Sequence, residues 1–287
     1  MPTTAKTEDI LRQPIAIRRW IAATLLALTG CATTSPHATQ PLQPGSLYVA
    51  LGSSYAAGVG IGPIVPGTPK RCGQTVNNYP RLLAERLGLH LVDASCGGAT
   101  TANILGPWSE LPAQIAAVAP DTRLVTVTIG GNDVGYVRDL FQTMCRGARC
   151  PSALPITDAD WATLERNMRQ IARDVQQRAP RAKLVFVDYL RIIPDGALCP
   201  AVALNPDQAA LSRGKFRRLA SLTARVARDE GAMLLPAGKL SDAHHACSTE
   251  PWAQAFPAKA APWHPTAAGH AAIADALAGK LAPRQAR

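Results

Sequence analysis

Short apolar runs rich in β-branched residues alternate along the chain with longer segments in which apolar residues recur at helical spacing. The short runs predict five strands, at Leu47–Leu51, Leu89–Ala94, Leu124–Ile129, Leu184–Leu190 and Ala232–Pro236. The longer segments predict helices at Tyr79–Leu87, Leu111–Ala119, Asp158–Arg178, Asp207–Asp229 and Thr266–Leu281. Alternating strands and helices predict one α/β domain in which a parallel sheet is covered on both faces. Residues 134–157 and 241–263 are predicted to be long irregular segments, which usually border the functional site.

The first thirty residues have the pattern of an export signal rather than of a folded element. Four basic residues precede the apolar run Trp20–Leu28, which small residues follow. A basic segment, a short apolar core and small residues before a cleavage point are typical of a secretory signal. Residues 1–30 are therefore predicted to be a signal peptide, and Arg18 and Arg19 also resemble a twin-arginine signal.

The end of this signal carries a candidate lipidation site. Leu28–Cys31 reads Leu-Thr-Gly-Cys, which resembles the bacterial lipobox. In a lipobox the cysteine, here Cys31, becomes the lipidated first residue of the mature protein. Ordinary signal cleavage, with Cys31 incidental, is the alternative. Residues 31–45, rich in Thr, Ser, Pro and Gln, predict a flexible tether, and residues 46–287 the folded domain.

Charge and hydropathy exclude two classes of protein. The chain of 287 residues has 30 Lys and Arg against 20 Asp and Glu, a formal net charge of +10. These cations are scattered, and aromatic residues make up only 5%, so we predict no nucleic-acid partner. No apolar run reaches the roughly 18–20 residues that a membrane-spanning helix needs.

Six cysteines besides Cys31 indicate disulfides, since an even number in an exported chain is typical of a disulfide framework. In a parallel sheet the carboxyl ends of all strands lie at one edge, so cysteines that follow different strands can meet there. This topology predicts the pairs Cys72–Cys96, Cys145–Cys150 and Cys199–Cys247. Zinc is the rival interpretation, but no Cys-x2-Cys pair exists and the spacings are irregular. No metal site is therefore predicted.

Four short motifs fall at the same predicted sheet edge. Ser54 follows the first strand, Gly98 the second, and Asn132 the third within Gly-Gly-Asn-Asp. His264 stands in Trp-His-Pro ahead of the last helix. In open α/β sheets the ligand crevice lies outside the carboxyl ends of the strands. Each residue alone would suit a helix cap or a turn, but together they supply a nucleophile, a base and oxyanion donors for acyl transfer.

These motifs resemble the blocks of the SGNH (GDSL-type) hydrolase family over residues 46–281, most closely those of the secreted three-disulfide actinobacterial esterases and lipases. The resemblance implies a three-layer sandwich with a central five-stranded parallel sheet of flavodoxin-like order. It makes Ser54 the nucleophile and His264 the base, and no cofactor is required. The protein is expected to be a monomer. The oxyanion hole would consist of the Ser54 and Gly98 backbone N–H groups and the Asn132 amide.

Two positions depart from the family pattern. Ser53 stands where the family has the aspartate before the nucleophile, which predicts altered local hydrogen bonding without loss of chemistry. Ala261 stands three residues before His264, where the triad aspartate normally lies. Because a main-chain carbonyl can also accept the Nδ1–H bond, we predict a Ser54–His264 dyad oriented by the carbonyl of Ala261 or a neighbour.

Three other polar residues of the C-terminal region could lie near His264. Asp242 is an alternative source of the missing carboxylate, and His244 and His245 are predicted to be pocket or surface residues. Without a neighbouring carboxylate, the pKa of His264 is predicted to stay near the ordinary value of about 6.5.

The resulting hypothesis is an exported serine hydrolase that cleaves carboxylic esters through an acyl-enzyme on Ser54. Lipid esters, short acyl esters and acylated glycans are not separable as substrates at this point. The protein is expected in the bacterial cell envelope, anchored to a membrane surface through Cys31, with a soluble secreted or periplasmic form as the alternative. An acyltransferase using the same site and a non-catalytic surface lipoprotein on a degenerate SGNH fold remain as alternative functions.

Overall fold

A parallel sheet forms the middle layer of the fold. The computed structural model describes residues 42–144, 155–256, 258 and 261–282. Within them five strands form the sheet: β1 Leu47–Gly52, β2 His90–Asp93, β3 Thr122–Thr128, β4 Lys183–Val187 and β5 Met233–Leu235. The strands pair in parallel in the order β2-β1-β3-β4-β5, which is the flavodoxin-like order. The predicted fold class is confirmed.

Helices cover both faces of this sheet. Their bounds are α1 Ser54–Ala57, α2 Tyr79–Leu87, α3 Thr101–Leu105, α4 Tyr136–Met144, α5 Asp158–Arg178, α6 Pro206–Asp229, α7 Ala237–Leu240 and α8 Ala267–Leu281. Successive strand residues point to opposite faces. Val49 of β1 accordingly lies in one buried cluster with Leu164 of α5 and Leu219 of α6. Tyr48 lies in the other cluster with Leu277 of α8, so the molecule has three layers.

Side-chain caps explain why three of the predicted helix boundaries are accurate. The Thr157 hydroxyl accepts the Asp160 N–H at the start of α5, and Asn205 caps α6 in the same way ahead of Pro206. Asn78 caps α2, which Gly88 ends with a left-handed φ of 62°. A polar cap satisfies an N–H that the first helical turn cannot pair internally. These capping residues therefore set the helix ends locally.

The segment 111–119 is not the predicted α-helix. Trp108 and Leu111 pair as an isolated bridge, and only Gln114–Ala117 forms one turn of 3-10 helix. Gln114 is buried, and its side-chain amide binds both backbone groups of Gly52, with 2.8 Å from the Gly52 nitrogen to Oε1 and 3.0 Å from Nε2 to the Gly52 oxygen. The helix prediction from apolar spacing is therefore wrong here, because a tertiary contact determines the backbone conformation of this segment.

Two further boundaries differ from the sequence prediction. Residues 136–144, expected to be irregular, form helix α4, whose Val137 and Leu140 are buried at helical spacing. Strand β4 ends at Val187 rather than Leu190, because its neighbour β5 ends at Leu235, opposite Val187, and the Asp188 N–H makes the last bond to the Leu235 carbonyl. The short helices α1, α3 and α7 were not predicted, since four or five residues are too few to show a helical period.

Two disulfides tie loops at the carboxyl edge of the sheet. Cys72 is bonded to Cys96 and Cys199 to Cys247, as the topology argument expected. The second bridge closes 48 residues of chain, which contributes about 4 kcal/mol in the chain-entropy model. The pair Cys145–Cys150, the signal residues 1–30, Cys31 and most of the tether lie outside the described residues. No helix of the described part of the chain is long and apolar enough to span a membrane.

Candidate active site

Ser54 and His264 meet at the carboxyl edge of the sheet although 210 positions separate them. His264 Nε2 lies 2.9 Å from Ser54 Oγ. Ser54 is the first residue of α1, directly beyond β1, and the chain turns at Gly52 with φ of 151°. A Cβ at Gly52 would lie 2.6 Å from the Thr128 carbonyl oxygen of β3, so only glycine permits this turn. The turn directs the Ser54 hydroxyl to the histidine.

A main-chain carbonyl orients the imidazole of His264. His264 Nδ1 lies 2.9 Å from the Pro262 oxygen, so Nδ1 donates there and Nε2 is free to accept the Ser54 proton. The Ala261 carbonyl has a different role, since it accepts the His264 backbone N–H at 3.3 Å. The acceptor is therefore the predicted neighbour of Ala261 and not Ala261 itself.

The other C-terminal polar residues are engaged elsewhere. Asp242, the alternative carboxylate, pairs with Arg191 at 2.7 Å. His244 stacks on Trp252 with ring centroids 4.0 Å apart. His245 lines a separate depression beside Asp242 and the Cys199–Cys247 bridge. The described contacts thus assign no carboxylate to His264.

Burial lowers the pKa of His264 below its ordinary value of 6.5, and the Pro262 carbonyl opposes this shift only in part. The expectation of an unperturbed pKa is therefore wrong. The physical reason is desolvation, since the side chain is largely removed from water and its cationic form loses hydration. The lower pKa keeps His264 neutral, and so able to accept a proton, to more acidic pH.

Tyr55 links the segments that carry the serine and the histidine. Tyr55 follows Ser54 in the chain and is buried. Its hydroxyl donates to the carbonyl of Trp263, the residue before His264. Trp263 is fully buried and adopts φ of 65°, a left-handed conformation that bulky residues rarely adopt. No sequence signal marks this contact, because it joins residues that only the folded chain brings together.

Gly98 and Asn132 border the same cavity as Ser54 and His264. Gly98 has φ of 85°, and a Cβ there would approach the Trp108 ring at 3.3 Å. The Asn132 amide nitrogen donates one hydrogen to the Ala99 carbonyl at 2.8 Å. A primary amide has two hydrogens, so this bond orients the group and leaves the second hydrogen for a ligand. Three candidate oxyanion donors thus lie just beyond the carboxyl ends of β1, β2 and β3.

Asp133 ties the loops of Gly98 and Asn132 together. Its carboxylate accepts the Thr101 N–H at 3.1 Å and also the Thr101 hydroxyl, at the start of α3. Burial raises the pKa of Asp133, while the bonds from Thr101 lower it. Asn167 of α5 donates to the same Thr101 hydroxyl at 2.9 Å. The last residue of Gly-Gly-Asn-Asp therefore supports the position of its neighbour Asn132.

Ser53 occupies a buried site that suits an uncharged residue. Its Oγ lies 3.3 Å from the Tyr189 hydroxyl, which in turn accepts the Gly131 N–H at 2.9 Å. The Tyr189 ring packs against Tyr55 at a tilt of 49°, with ring centroids 4.6 Å apart, so the surroundings of Ser53 are aromatic. A carboxylate there would need compensation that this aromatic pocket does not supply. That these bonds differ from those of the family aspartate stays a prediction.

A cavity of about 810 Å³ opens beside the serine and the histidine. Its apolar walls are formed by Val59, Val137, Phe141 and Phe256, and its charged lining by Lys70, Arg71 and Arg138. Among the described residues, no group of three or more His, Cys, Asp and Glu side chains is arranged to hold a metal ion. The cavity offers apolar surface and positive charge next to a nucleophile and its base.

A doubly covered parallel sheet with a serine–histidine pair and amide donors at its carboxyl edge defines an α/β serine hydrolase. The chain matches the model of the GDSL-like Lipase/Acylhydrolase family over residues 50–272, a range that includes all four motifs. It belongs to this family, of the SGNH type, and is a carboxylic-ester hydrolase.

Similar proteins come from Streptomyces. The chain is 29% identical to lipase 2 of Streptomyces coelicolor over 91% of its length and 96% of that protein. It is 30% identical to a lipase of Streptomyces rimosus, over 88% and 94%. The structure of phospholipase A1 from Streptomyces albidoflavus matches with a TM-score of 0.69 and 26% identity, covering 82% of this chain and 99% of that one. The similarity extends over almost the whole domain.

Proposed function

We propose that the protein is an exported serine hydrolase that cleaves carboxylic esters through an acyl-enzyme on Ser54. The observation that carries this proposal is the 2.9 Å contact between Ser54 Oγ and His264 Nε2. The bond from His264 Nδ1 to the Pro262 carbonyl supports it, because it fixes the tautomer in which Nε2 can accept a proton.

In the first half-reaction, His264 Nε2 accepts the Ser54 hydroxyl proton as Oγ attacks the carbonyl carbon of the ester. The carbonyl oxygen becomes an oxyanion, which the Ser54 and Gly98 N–H groups and the Asn132 amide stabilise. His264 then gives its proton to the departing alcohol, and the acyl group stays on Ser54. In the second half, His264 takes a proton from water, and the hydroxide attacks the acyl carbon. Collapse of this intermediate returns the proton to Ser54 Oγ and releases the acid.

We propose that the acyl group of the substrate lies against the apolar wall of the cavity. Val59, Val137, Phe141 and Phe256 supply that wall next to Ser54. Burying a chain methylene there contributes about 0.8 kcal/mol, so longer acyl chains bind more tightly until the wall ends. The names of the similar Streptomyces proteins, lipase and phospholipase A1, agree with a lipid ester.

Labelling with a fluorophosphonate tests the nucleophile. The oxidised wild-type domain is expected to react at Ser54, because only an activated serine displaces fluoride from phosphorus at a useful rate. Ser54→Ala is expected to remain unlabelled, and Ser248→Ala, which removes a serine bonded to the His245 carbonyl, to be labelled like the wild type. Intact-mass spectrometry measures the adduct. Folded wild-type protein without an adduct would contradict the proposed function.

We further propose export and anchoring through Cys31. Disulfides, which persist in oxidising compartments, support export. An acyl chain on Cys31 would contribute about 0.8 kcal/mol for each CH2 that it buries in the membrane. In a bacterial host, the wild type is expected in the detergent-soluble membrane fraction, with globomycin-sensitive processing. Cys31→Ser is expected to lose both properties, and equal release of the two forms would contradict the anchor.

A further inference from the structure

A buried glutamine holds the end of the strand that leads to the nucleophile. Gln114 lies in the 3-10 turn Gln114–Ala117 and is only 7% exposed. Its Oε1 accepts the Gly52 N–H at 2.8 Å, and its Nε2 donates to the Gly52 carbonyl at 3.0 Å. Gly52 is the last residue of β1, two positions before Ser54. The side chain of Gln114 therefore acts on the backbone that carries the nucleophile.

This side chain takes the place of strand β2 beside Gly52. In the parallel ladder β2 ends at Asp93, opposite Ala50, so the strand stops before it reaches Gly52. Beyond that point the Cys96 N–H still donates to the Gly52 carbonyl at 3.0 Å. The Gly52 N–H faces the same side and has the Gln114 amide oxygen as its acceptor. A buried N–H needs such a partner, because leaving it unpaired costs free energy.

The end of β1 is thereby fixed from both sides. On the β3 side the Ser53 N–H donates to the Thr128 carbonyl at 3.0 Å, and on the other side Gln114 binds Gly52. Glycine has the largest conformational freedom of all residues, so the backbone at Gly52 depends on these bonds for its position. The next residue but one is Ser54, whose Oγ lies within hydrogen-bond distance of the base. A shift of the Gly52 backbone would therefore displace both the hydroxyl and the N–H group of Ser54.

Gln114 lies outside the catalytic cavity. It borders a separate cavity of about 370 Å³, whose lining includes the Cys72–Cys96 bridge. Its contact with Gly52 joins residues 62 positions apart, so no sequence motif marks it. A role of Gln114 in catalysis must therefore act through the backbone of Gly52.

We propose that Gln114 is a positioning residue for the reaction: its amide holds Gly52 so that the Ser54 hydroxyl reaches the base and the Ser54 N–H reaches the oxyanion. The inference rests on the proposed ester hydrolysis at Ser54 and goes beyond it, because it assigns a role to a residue outside the catalytic cavity. An amide suits this role, since it offers one acceptor and one donor side by side, as a peptide group of β2 would.

Gln114→Leu tests the position of the nucleophile, because leucine leaves the buried Gly52 N–H without its acceptor. With 4-nitrophenyl butyrate, kcat per active site is expected to fall about 10- to 100-fold, since a displacement of about 1 Å can cost 10²-fold. KM is expected to change less than about twofold, because the interaction acts on the transition state. The rate of fluorophosphonate labelling is expected to fall in parallel, and its final extent counts the active sites. Gln170→Leu, which removes an exposed glutamine bonded to Asp174 on α5, is expected to keep the wild-type values.

Gln114→Glu gives a readout that a purely structural contact would not show. A neutral carboxyl group also has one acceptor oxygen and one O–H donor, so it can bind Gly52 as the amide does. An ionised carboxylate has only acceptors, and one of its oxygens would face the Gly52 carbonyl. Burial raises the pKa of the introduced carboxyl group, and the acidic Asp93, which borders the same cavity, raises it further.

The pH dependence of this variant is compared with that of the wild type. We expect the kcat/KM of Gln114→Glu, divided by the wild-type value at the same pH, to rise as pH falls through the pKa of the introduced carboxyl group. The division removes the acid limb that His264 gives to both enzymes. The same ratio for Gln114→Leu is expected to be equal at every pH. The neutral carboxyl group has the shape of the amide, so Gln114→Glu is expected to fold in acid.

The outcomes separate this role from a structural one and from the proposed function. A folded Gln114→Leu enzyme with wild-type kcat and labelling rate, even with a lower Tm, would overturn the positioning role and leave ester hydrolysis intact. If thermal unfolding shows that Gln114→Leu is not folded, the ratio for Gln114→Glu decides: a rise in acid supports the role, and a flat ratio overturns it. A folded wild type that neither hydrolyses the ester nor takes the label would overturn the proposed function, and the positioning role with it.

Discussion

His264→Ala is expected to lower kcat by at least about 10⁴-fold, since removing the base of a serine nucleophile has effects of that size. The reason is the contact of His264 Nε2 with Ser54 Oγ at 2.9 Å. Without the imidazole, the Ser54 proton has no nearby acceptor, and an alcohol with its proton is a poor nucleophile. Steady-state hydrolysis of a short-chain ester measures the loss.

His90→Ala is the matched control for this experiment. His90 is an exposed histidine at the amino end of β2, whereas the site lies beyond the carboxyl ends of the strands. This variant is expected to have the kcat of the wild type. A folded His264→Ala enzyme with more than about a tenth of wild-type kcat would show that another group acts as the base.

The pH dependence gives a second readout of the same histidine. Burial lowers the pKa of His264 below 6.5, and only neutral imidazole can accept the Ser54 proton. Activity is therefore full above this pKa and is lost as pH falls through it. The acid limb of kcat/KM is expected below pH 6.5, and the limb should be absent from the residual activity of His264→Ala. A wild-type limb above pH 6.5 would contradict the environment described for His264.

Asn132→Ala is expected to lower kcat about 10²- to 10³-fold, the usual cost of one oxyanion-hole donor. The amide of Asn132 is oriented by its bond to the Ala99 carbonyl at 2.8 Å, so its second hydrogen has a defined direction. A donor that acts on the oxyanion strengthens its bond as negative charge develops on the substrate oxygen. The loss should therefore appear in kcat with little change in KM.

Two further substitutions sharpen this test. Asn132→Asp preserves the shape of the side chain but replaces the donor with an anion, so its loss of kcat is expected to equal or exceed that of alanine. Asn77→Ala removes an exposed asparagine whose side-chain amide makes a long, 3.5 Å bond to the Ile61 carbonyl, and wild-type kcat is expected. A folded Asn132→Ala enzyme with wild-type kcat would remove Asn132 from the oxyanion hole.

The accuracy of the sequence predictions follows the range of the interactions involved. Helix α5, Asp158–Arg178, was predicted with its observed bounds, because its apolar period and its Thr157 cap are both local signals. The α-helix predicted for residues 111–119 was wrong, because the Gln114 amide binds the backbone of Gly52, a residue 62 positions away. Local pattern and tertiary contact agree in the first case and compete in the second.

The same distinction applies to the site. The four motifs could be placed at one edge from the sequence, since parallel strands direct all their carboxyl ends the same way, three motifs follow strands, and the fourth precedes the last helix. The acceptor for His264 could only be narrowed to Ala261 or a neighbour. Which of two adjacent carbonyls faces Nδ1 depends on the local backbone, including the left-handed Trp263 held by Tyr55.

The sequence by itself determined the order of the five strands, the parallel sheet, the family resemblance and the residue types available for chemistry, because hydrophobic period and motif spacing are properties of short stretches of chain. Only the tertiary structure decided that His264 is buried with a lowered pKa and that the Pro262 carbonyl orients it. Burial, hydration and the pairing of charges depend on which distant residues pack together, and that is settled only when the whole chain has folded.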